Sequence, residues 1–192
     1  MSAKPFLITG LPRSRTAWMA GFFCTGNVFC LHEPLAKLYD ITEAGRVFQS
    51  DFHSHAGISD SGAGFFLPWI MENVNPQTLI IERDPDFVAK DLAENGMPVG
   101  DNVMPVLMRK LEEFRHHPKV MWVHFDSLGN KRIMEKIWFH LLPGVPFDHE
   151  RYEQFNDLNI QANIPKVKAY AALNQDRQRH MLRDVFPLLQ EN

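Results

Sequence analysis

Residues 6–18, FLITGLPRSRTAW, constrain the fold more than any other part of the chain. Phe6–Ile8 is a short apolar run of the kind that forms a buried strand. Gly10 and Pro12 punctuate a turn. An apolar helical pattern starts directly after Arg13-Ser14-Arg15-Thr16, with Ala17, Trp18, Met19, Ala20, Phe22 and Phe23. Strand, tight loop and helix in this order aim backbone N–H groups and the positive end of a helix dipole at an anion. Arg13 and Arg15 add charged donors, and Ser14 and Thr16 add hydroxyls, for phosphate or sulfate oxygens. The competing structural reading is an ordinary strand-to-helix turn with solvated arginines.

Further strands are expected at 27–31, 78–81 and 120–125, the last two followed by helical patterns, and an apolar helical segment is expected at 65–71. Strands alternating with helices imply an α/β fold with a parallel sheet and right-handed crossovers. The last strand is nearly continuous in apolar residues, as in a sheet covered on both faces. Val103, Val106, Leu107, Leu111 and Phe114 mark an amphipathic helix, with Pro105 in its first turn. Ile133, Met134, Ile137, Trp138 and Leu141 mark another, and Met181, Leu182, Val185, Phe186 and Leu189 mark a terminal one from Gln175 to Leu189. No repeat, low-complexity tract or linker divides the 192 residues, so one domain, 1–192, is expected.

Charge and composition exclude several classes. The formal net charge is −3, so no broad nucleic-acid surface is expected and any anion site must be local. No run of about 18 apolar residues suggests a membrane span, and the N-terminus lacks the pattern of a signal peptide. Cys24 and Cys30 are expected to be buried free thiols, which points to a reducing, cytoplasmic setting. Their spacing with His32 does not fit a zinc site.

The loop does not match the P-loop pattern G-x-x-x-x-G-K-[ST], because it has neither a second Gly nor a Lys. Pro12-Arg13-Ser14-x-Thr16-x-Trp18 instead resembles the 5′-phosphosulfate loop of the sulfotransferase family, Pro-[Lys/Arg]-Ser-Gly-Thr-[Thr/Ser]-[Trp/Leu]. Arg15 stands at the family's Gly and Ala17 at its hydroxyl residue. Glu82-Arg83-Asp84-Pro85 ends a strand and starts a helix. It resembles the family's 3′-phosphate signature, Arg-[Asn/Asp]-Pro followed by Ser eight positions after the Arg. Asp91 occupies the Ser position, and an ionised carboxylate there would repel a phosphate unless paired. Phe125-Asp126-Ser127-Leu128 resembles the family's late [Tyr/Phe]-Glu-Asp-Leu segment. Residues 145–170 resemble the polar tail that follows, with Lys166 and Lys168 left unassigned.

The resemblance implies a three-layer, P-loop-like domain with about four to five parallel strands flanked by helices. The chain is shorter than most eukaryotic members, as in compact bacterial or phage-type ones. It also implies a donor, 3′-phosphoadenosine 5′-phosphosulfate (PAPS), held by Arg13, Ser14, Arg15, Thr16 and Ala17 at one end and by Arg83, beside Asp91, at the other. The product would be adenosine 3′,5′-bisphosphate, and the partner a small-molecule or carbohydrate acceptor. Arg13 would also stabilise the leaving oxygen. Glu33, after the second strand, resembles the general base of the tyrosylprotein and trehalose-type enzymes. His53 and His55 are the fallback bases, because many cytosolic members use a histidine. Without the resemblance, Glu33 is equally a solvated loop carboxylate, His53 and His55 belong to an exposed polar loop, and Arg83 pairs with Glu82 or Asp86. Residues 57–64 are expected to be a turn-rich loop, and 36–75 the acceptor-specificity region. A nucleotide-binding phosphoryl-transfer enzyme and a non-catalytic binding or assembly protein are the alternatives.

Overall fold

The computed structural model describes residues 3–97 and 99–158. The strands are β1 (Lys4–Gly10), β2 (Val28–His32), β3 (His55–Ser59), β4 (Gln77–Glu82) and β5 (Val120–His124). The helices are α1 (Thr16–Phe23), α2 (Ala44–Val47), α3 (Leu67–Asn73), α4 (Pro85–Glu94), α5 (Val103–Glu112), α6 (Lys131–Leu141) and α7 (His149–Asn156). The strands form one five-stranded sheet in the order β2-β3-β1-β4-β5, with every pairing parallel. The expected α/β class and strand number hold.

Strand periodicity divides the core into two layers, because successive side chains point to opposite faces. Phe6 and Ile8 of β1 and Leu79 and Ile81 of β4 pack with Trp18, Phe22, Phe23, Ile137, Trp138 and Tyr152 from α1, α6 and α7. Leu7, Ile58 and Ile80 face the other way, onto Leu67, Ile70, Val88 and Leu107 from α3, α4 and α5. The first layer holds α1 firmly. Trp18 stacks on Phe22 at 5.0 Å, and its indole N–H donates to the Phe155 carbonyl at 2.9 Å. Trp18 and Phe22 are essentially fully buried, each contributing on the order of 2–3 kcal/mol. The loop before α1 is thus held from behind.

Three expectations need correction. Residues 55–59 are not part of a loop but form the buried strand β3, between β2 and β1. Gly57 is required there: a Cβ would lie 2.5 Å from the Phe6 carbonyl oxygen and ring. Cys24 is exposed, and only Cys30 is buried; both thiols are free. Burial pushes the Cys30 thiol far above its ordinary range. Residues 120–123 are half-buried rather than covered on both faces, and β5 lies at one of the two edges of the sheet. The terminal helix expected from Gln175 to Leu189, and Lys166 and Lys168, lie outside the described residues.

The helix after β4 follows its sequence closely. Asp84 caps α4, accepting from the Asp86 and Phe87 amides at 2.8 and 3.1 Å, and Pro85 occupies its first turn. At the far end Gly96 takes φ 67°, and the Met97 and Gly96 amides donate back to Leu92 and Ala93. That is the Schellman closure expected of a C-terminal Gly.

Candidate anion site

β1 and β4 are neighbours, but the chain leaves them in opposite directions: β1 leads to β2 on one side and β4 to β5 on the other. The loops therefore diverge and open a crevice at the carboxyl ends of the strands, where open α/β sheets bind ligands. Both arginine-bearing segments meet at this point. Gly10 permits the close approach, since a Cβ there would collide with the Ile81 carbonyl of β4.

The loop is strained at two charged residues. Arg13 has φ 67° and Arg15 φ 62°, both left-handed. Such conformations cost of order 1 kcal/mol or more each and collect at functional sites. Arg15 is the N-cap of α1 without a capping side chain, and the first turn contains no acidic residue. The amides at the helix start thus lack a side-chain acceptor from the cap. Ser14 is fully buried, and its hydroxyl has no hydrogen-bond partner. Ala17, half-buried, leaves the helix start uncrowded. The Ser59 hydroxyl donates to the Thr16 carbonyl at 2.8 Å, tying the helix start to the end of β3.

The guanidinium groups are arranged around this loop. Arg83 donates through Nη1 to the Arg13 carbonyl oxygen and so pins the loop. Its guanidinium lies 4.1 Å from the Phe125 ring centroid and 4.6 Å from that of Phe87. Arg15 lies 6.0 Å from the Phe125 centroid and 5.5 Å from that of Trp18. Phe125 therefore serves both arginines. Burial lowers the Arg83 pKa, Asp91 and Asp126 oppose that shift, and Arg13 adds to it. Arg83 does not pair with Glu82, whose carboxylate takes Arg115 at 3.0 Å. Asp91 is paired, and not by its neighbour Lys90: Arg13 Nε donates to Asp91 Oδ2 at 2.6 Å, with each side chain about a quarter exposed. Lys90 turns instead to Glu94.

Glu33 stands on the other side of the loop, directly after β2, with φ 46°. Ser61 Oγ donates to its Oε1 at 3.0 Å, and His32 Nε2 lies 3.8 Å from the same oxygen. The same His32 nitrogen is 3.5 Å from Thr16 Oγ1. Glu33 is thus linked through His32 to the start of α1. His53 and His55 are remote from this arrangement. His55 begins β3 and pairs in register with Lys4, so it sits at the amino edge of the sheet. Four residue steps along the strand separate it from Ser59, about 13 Å. Its ring is buried, with Nδ1 on the Ser54 hydroxyl, and burial lowers its pKa. His53 stacks on Phe29 and bonds Ser50. Neither fallback histidine reaches the anion loop.

The structure therefore gathers Arg13, Ser14, Arg15, Thr16, Ala17, Arg83 and Asp91 at the switch point, with Glu33 at the flank. Sequence reasoning missed His32, Phe125, Phe87, Ser61 and Asp60. Asp60-Ser61-Gly62 carried the one local signal, a cap pattern, and the other placements depend on tertiary contacts. The chemistry available is anion binding by guanidinium, hydroxyl and helix-start donors, beside a carboxylate and an imidazole. Among the described residues no group of three metal-ligating side chains occurs and no helix is long and apolar enough to cross a membrane.

No protein-family profile and no curated protein sequence matches this chain. Among solved structures, the chain is similar to mouse sulfotransferase SULT7A1 complexed with PAP, with TM-score 0.54 and 13% identity. The match covers 79% of this chain and 62% of the mouse protein, so the chain spans somewhat under two thirds of that structure's length. The likeness is one of fold, a parallel α/β sheet flanked by helices.

Proposed function

We propose that this protein transfers a sulfuryl group from PAPS to an acceptor hydroxyl or amine on a small molecule or carbohydrate. The supporting observation is the convergence of Arg13, Arg15 and Arg83 on a strained loop that also holds a buried, unpartnered Ser14 hydroxyl. A buried hydroxyl without a partner costs on the order of 1–3 kcal/mol, which an anion at the loop would offset. The likeness to a PAP-bound sulfotransferase supports the choice of donor.

In this reading Ser14, Thr16 and the helix-start amides hold the phosphosulfate end, and Arg83 takes the second phosphate. The donor supplies the sulfuryl group and leaves as adenosine 3′,5′-bisphosphate. Arg13 and Arg15 stabilise negative charge on the departing oxygen. Glu33 accepts the acceptor's proton as the new bond to sulfur forms, and Ser61 and His32 hold its carboxylate in place. Acceptor choice rests with the segments around β3, from 33 to 66.

Adenosine 3′,5′-bisphosphate should raise the melting temperature more than ADP with magnesium, by mass action on the native state. Equal or greater stabilisation by ADP–magnesium would favour phosphoryl transfer. With an acceptor in hand, Glu33→Gln should lower turnover by 10²–10⁴-fold, with donor affinity nearly unchanged. Arg13→Ala should weaken both.

A further inference from the structure

Asp60 is a buried carboxyl that the scheme above leaves without a role. It follows β3 directly, and its side chain is enclosed. One oxygen accepts from the Leu35 amide at 3.0 Å, and the other from the Gly62 amide at 2.8 Å. The Ala63 amide donates to the Asp60 backbone carbonyl at 3.3 Å. The first contact bridges 25 residues and joins the turn after β2 to the turn after β3. Two more bonds run alongside: the Glu33 amide donates to the Ser59 carbonyl at 3.0 Å, and the Ser61 hydroxyl donates to Glu33 Oε1 at 3.0 Å. The Asp60 amide is itself anchored on the Ile8 carbonyl of β1 at 2.9 Å. A single carboxyl thus ties the Glu33 turn to the sheet centre, where the anion loop begins.

We propose that Asp60 is the positioning residue of this site: its carboxylate clamps the 33–35 turn to the end of β3 and so fixes the Glu33 carboxylate beside His32 and the anion loop. The proposal rests on the assignment of Glu33 as the proton acceptor. The left-handed conformation of Glu33 explains why a clamp is needed. A non-Gly residue at φ 46° relaxes unless its surroundings hold it.

The clamp is also sensitive to protonation. Ionised, Asp60 offers only acceptors and suits both the Leu35 and the Gly62 amide. Protonated, it carries an O–H on one oxygen, and the amide facing that oxygen is left with a weaker, uncharged acceptor. Burial, and secondly the charge of Glu33, raise its pKa to about 7, while the surrounding backbone amides oppose the rise. Glu33 is the charged group that faces it. The Ser61–Phe66 turn and residues 34–36 contribute no titratable side chain. The clamp is closed above about pH 7 and loosens below it.

The test combines a structural and a kinetic readout on the full chain. In the wild type, the ¹³C signal of the Asp60 carboxyl should titrate near pH 7, and exchange of the Leu35 amide should accelerate as pH falls through that value, after correction for intrinsic exchange. Asp60→Asn should abolish the Leu35 pH dependence, speed its exchange about tenfold at pH 8, and remove an inflection near pH 7 from the kcat profile. Its kcat should fall at least tenfold while the affinity for adenosine 3′,5′-bisphosphate stays within twofold. Unchanged Leu35 exchange, or equal losses in kcat and bisphosphate affinity, would overturn the proposal. If Asp60→Asn fails to fold, the wild-type carboxyl titration and Leu35 exchange decide the matter by themselves. A clamp that titrates as described in a protein that does not bind the bisphosphate would refute the sulfuryl-transfer reading and leave the clamp standing.

Discussion

Asp91→Ser tests how the two halves of the anion crevice are coupled. Asp91 holds Arg13 Nε at 2.6 Å, so in the ligand-free protein the Arg13 guanidinium is already engaged by a carboxylate. Both side chains are about a quarter exposed, which places the pair between the exposed and the buried regimes. Exposed pairs are worth about 0–1 kcal/mol and buried ones more, so a gain of about 1 kcal/mol is expected when Arg13 is released to a ligand. A phosphate near Arg83 also loses a repelling carboxylate, and partial screening brings that to a similar size. Adenosine 3′,5′-bisphosphate should therefore bind Asp91→Ser about fivefold to thirtyfold more tightly, as read by titration calorimetry at low salt. The sequence alone predicts no change for AMP. The pairing with Arg13 alters that expectation: AMP should gain about fivefold, from the freed guanidinium alone. Raising the salt should shrink both gains. Unchanged or weaker bisphosphate binding would refute the reasoning, because Asp91 would then not be competing for Arg13.

Two other outcomes follow from buried groups. Ser14→Ala removes a hydroxyl that has no partner, so it should leave thermal stability unchanged or slightly higher while weakening bisphosphate binding by about 1 kcal/mol; a clear loss of stability in denaturant titration would mean the hydroxyl is satisfied in the folded protein. The folded pKa of Asp60 is raised from 3.8 to about 7, so the native state holds its proton more tightly than the unfolded chain does. Its contribution to stability should therefore decline between about pH 4 and pH 7 and level off above, and Asp60→Asn should flatten that part of the profile. His55, with a lowered pKa, acts with the opposite sign, and its contribution is lost as pH falls below its ordinary range; replacing it with Asn should remove that acid-side loss.

Where local rules suffice, the sequence predicts this structure closely. The Asp84-Pro85 start and the Gly96 stop of α4 are carried by short-range hydrogen bonds. β3 was hidden because its composition imitates a loop: Gly57 is present for contact with Phe6, and His55 and Ser59 are polar residues buried in the sheet. The Arg13–Asp91 pair spans 78 residues, and the sharing of Phe125 by Arg15 and Arg83 joins three loops. No local pattern reports such pairings. The placing of His53 and His55 at the amino edge depends on knowing that β3 exists at all.

The most direct test is a crystal structure with adenosine 3′,5′-bisphosphate soaked to saturation. The account predicts one phosphate on the Ser14 hydroxyl and the amides at the start of α1, a second at Arg83, and Arg13 turned from Asp91 toward the ligand. A bisphosphate bound away from the switch point between β1 and β4, or an empty crevice at saturating ligand, would contradict it.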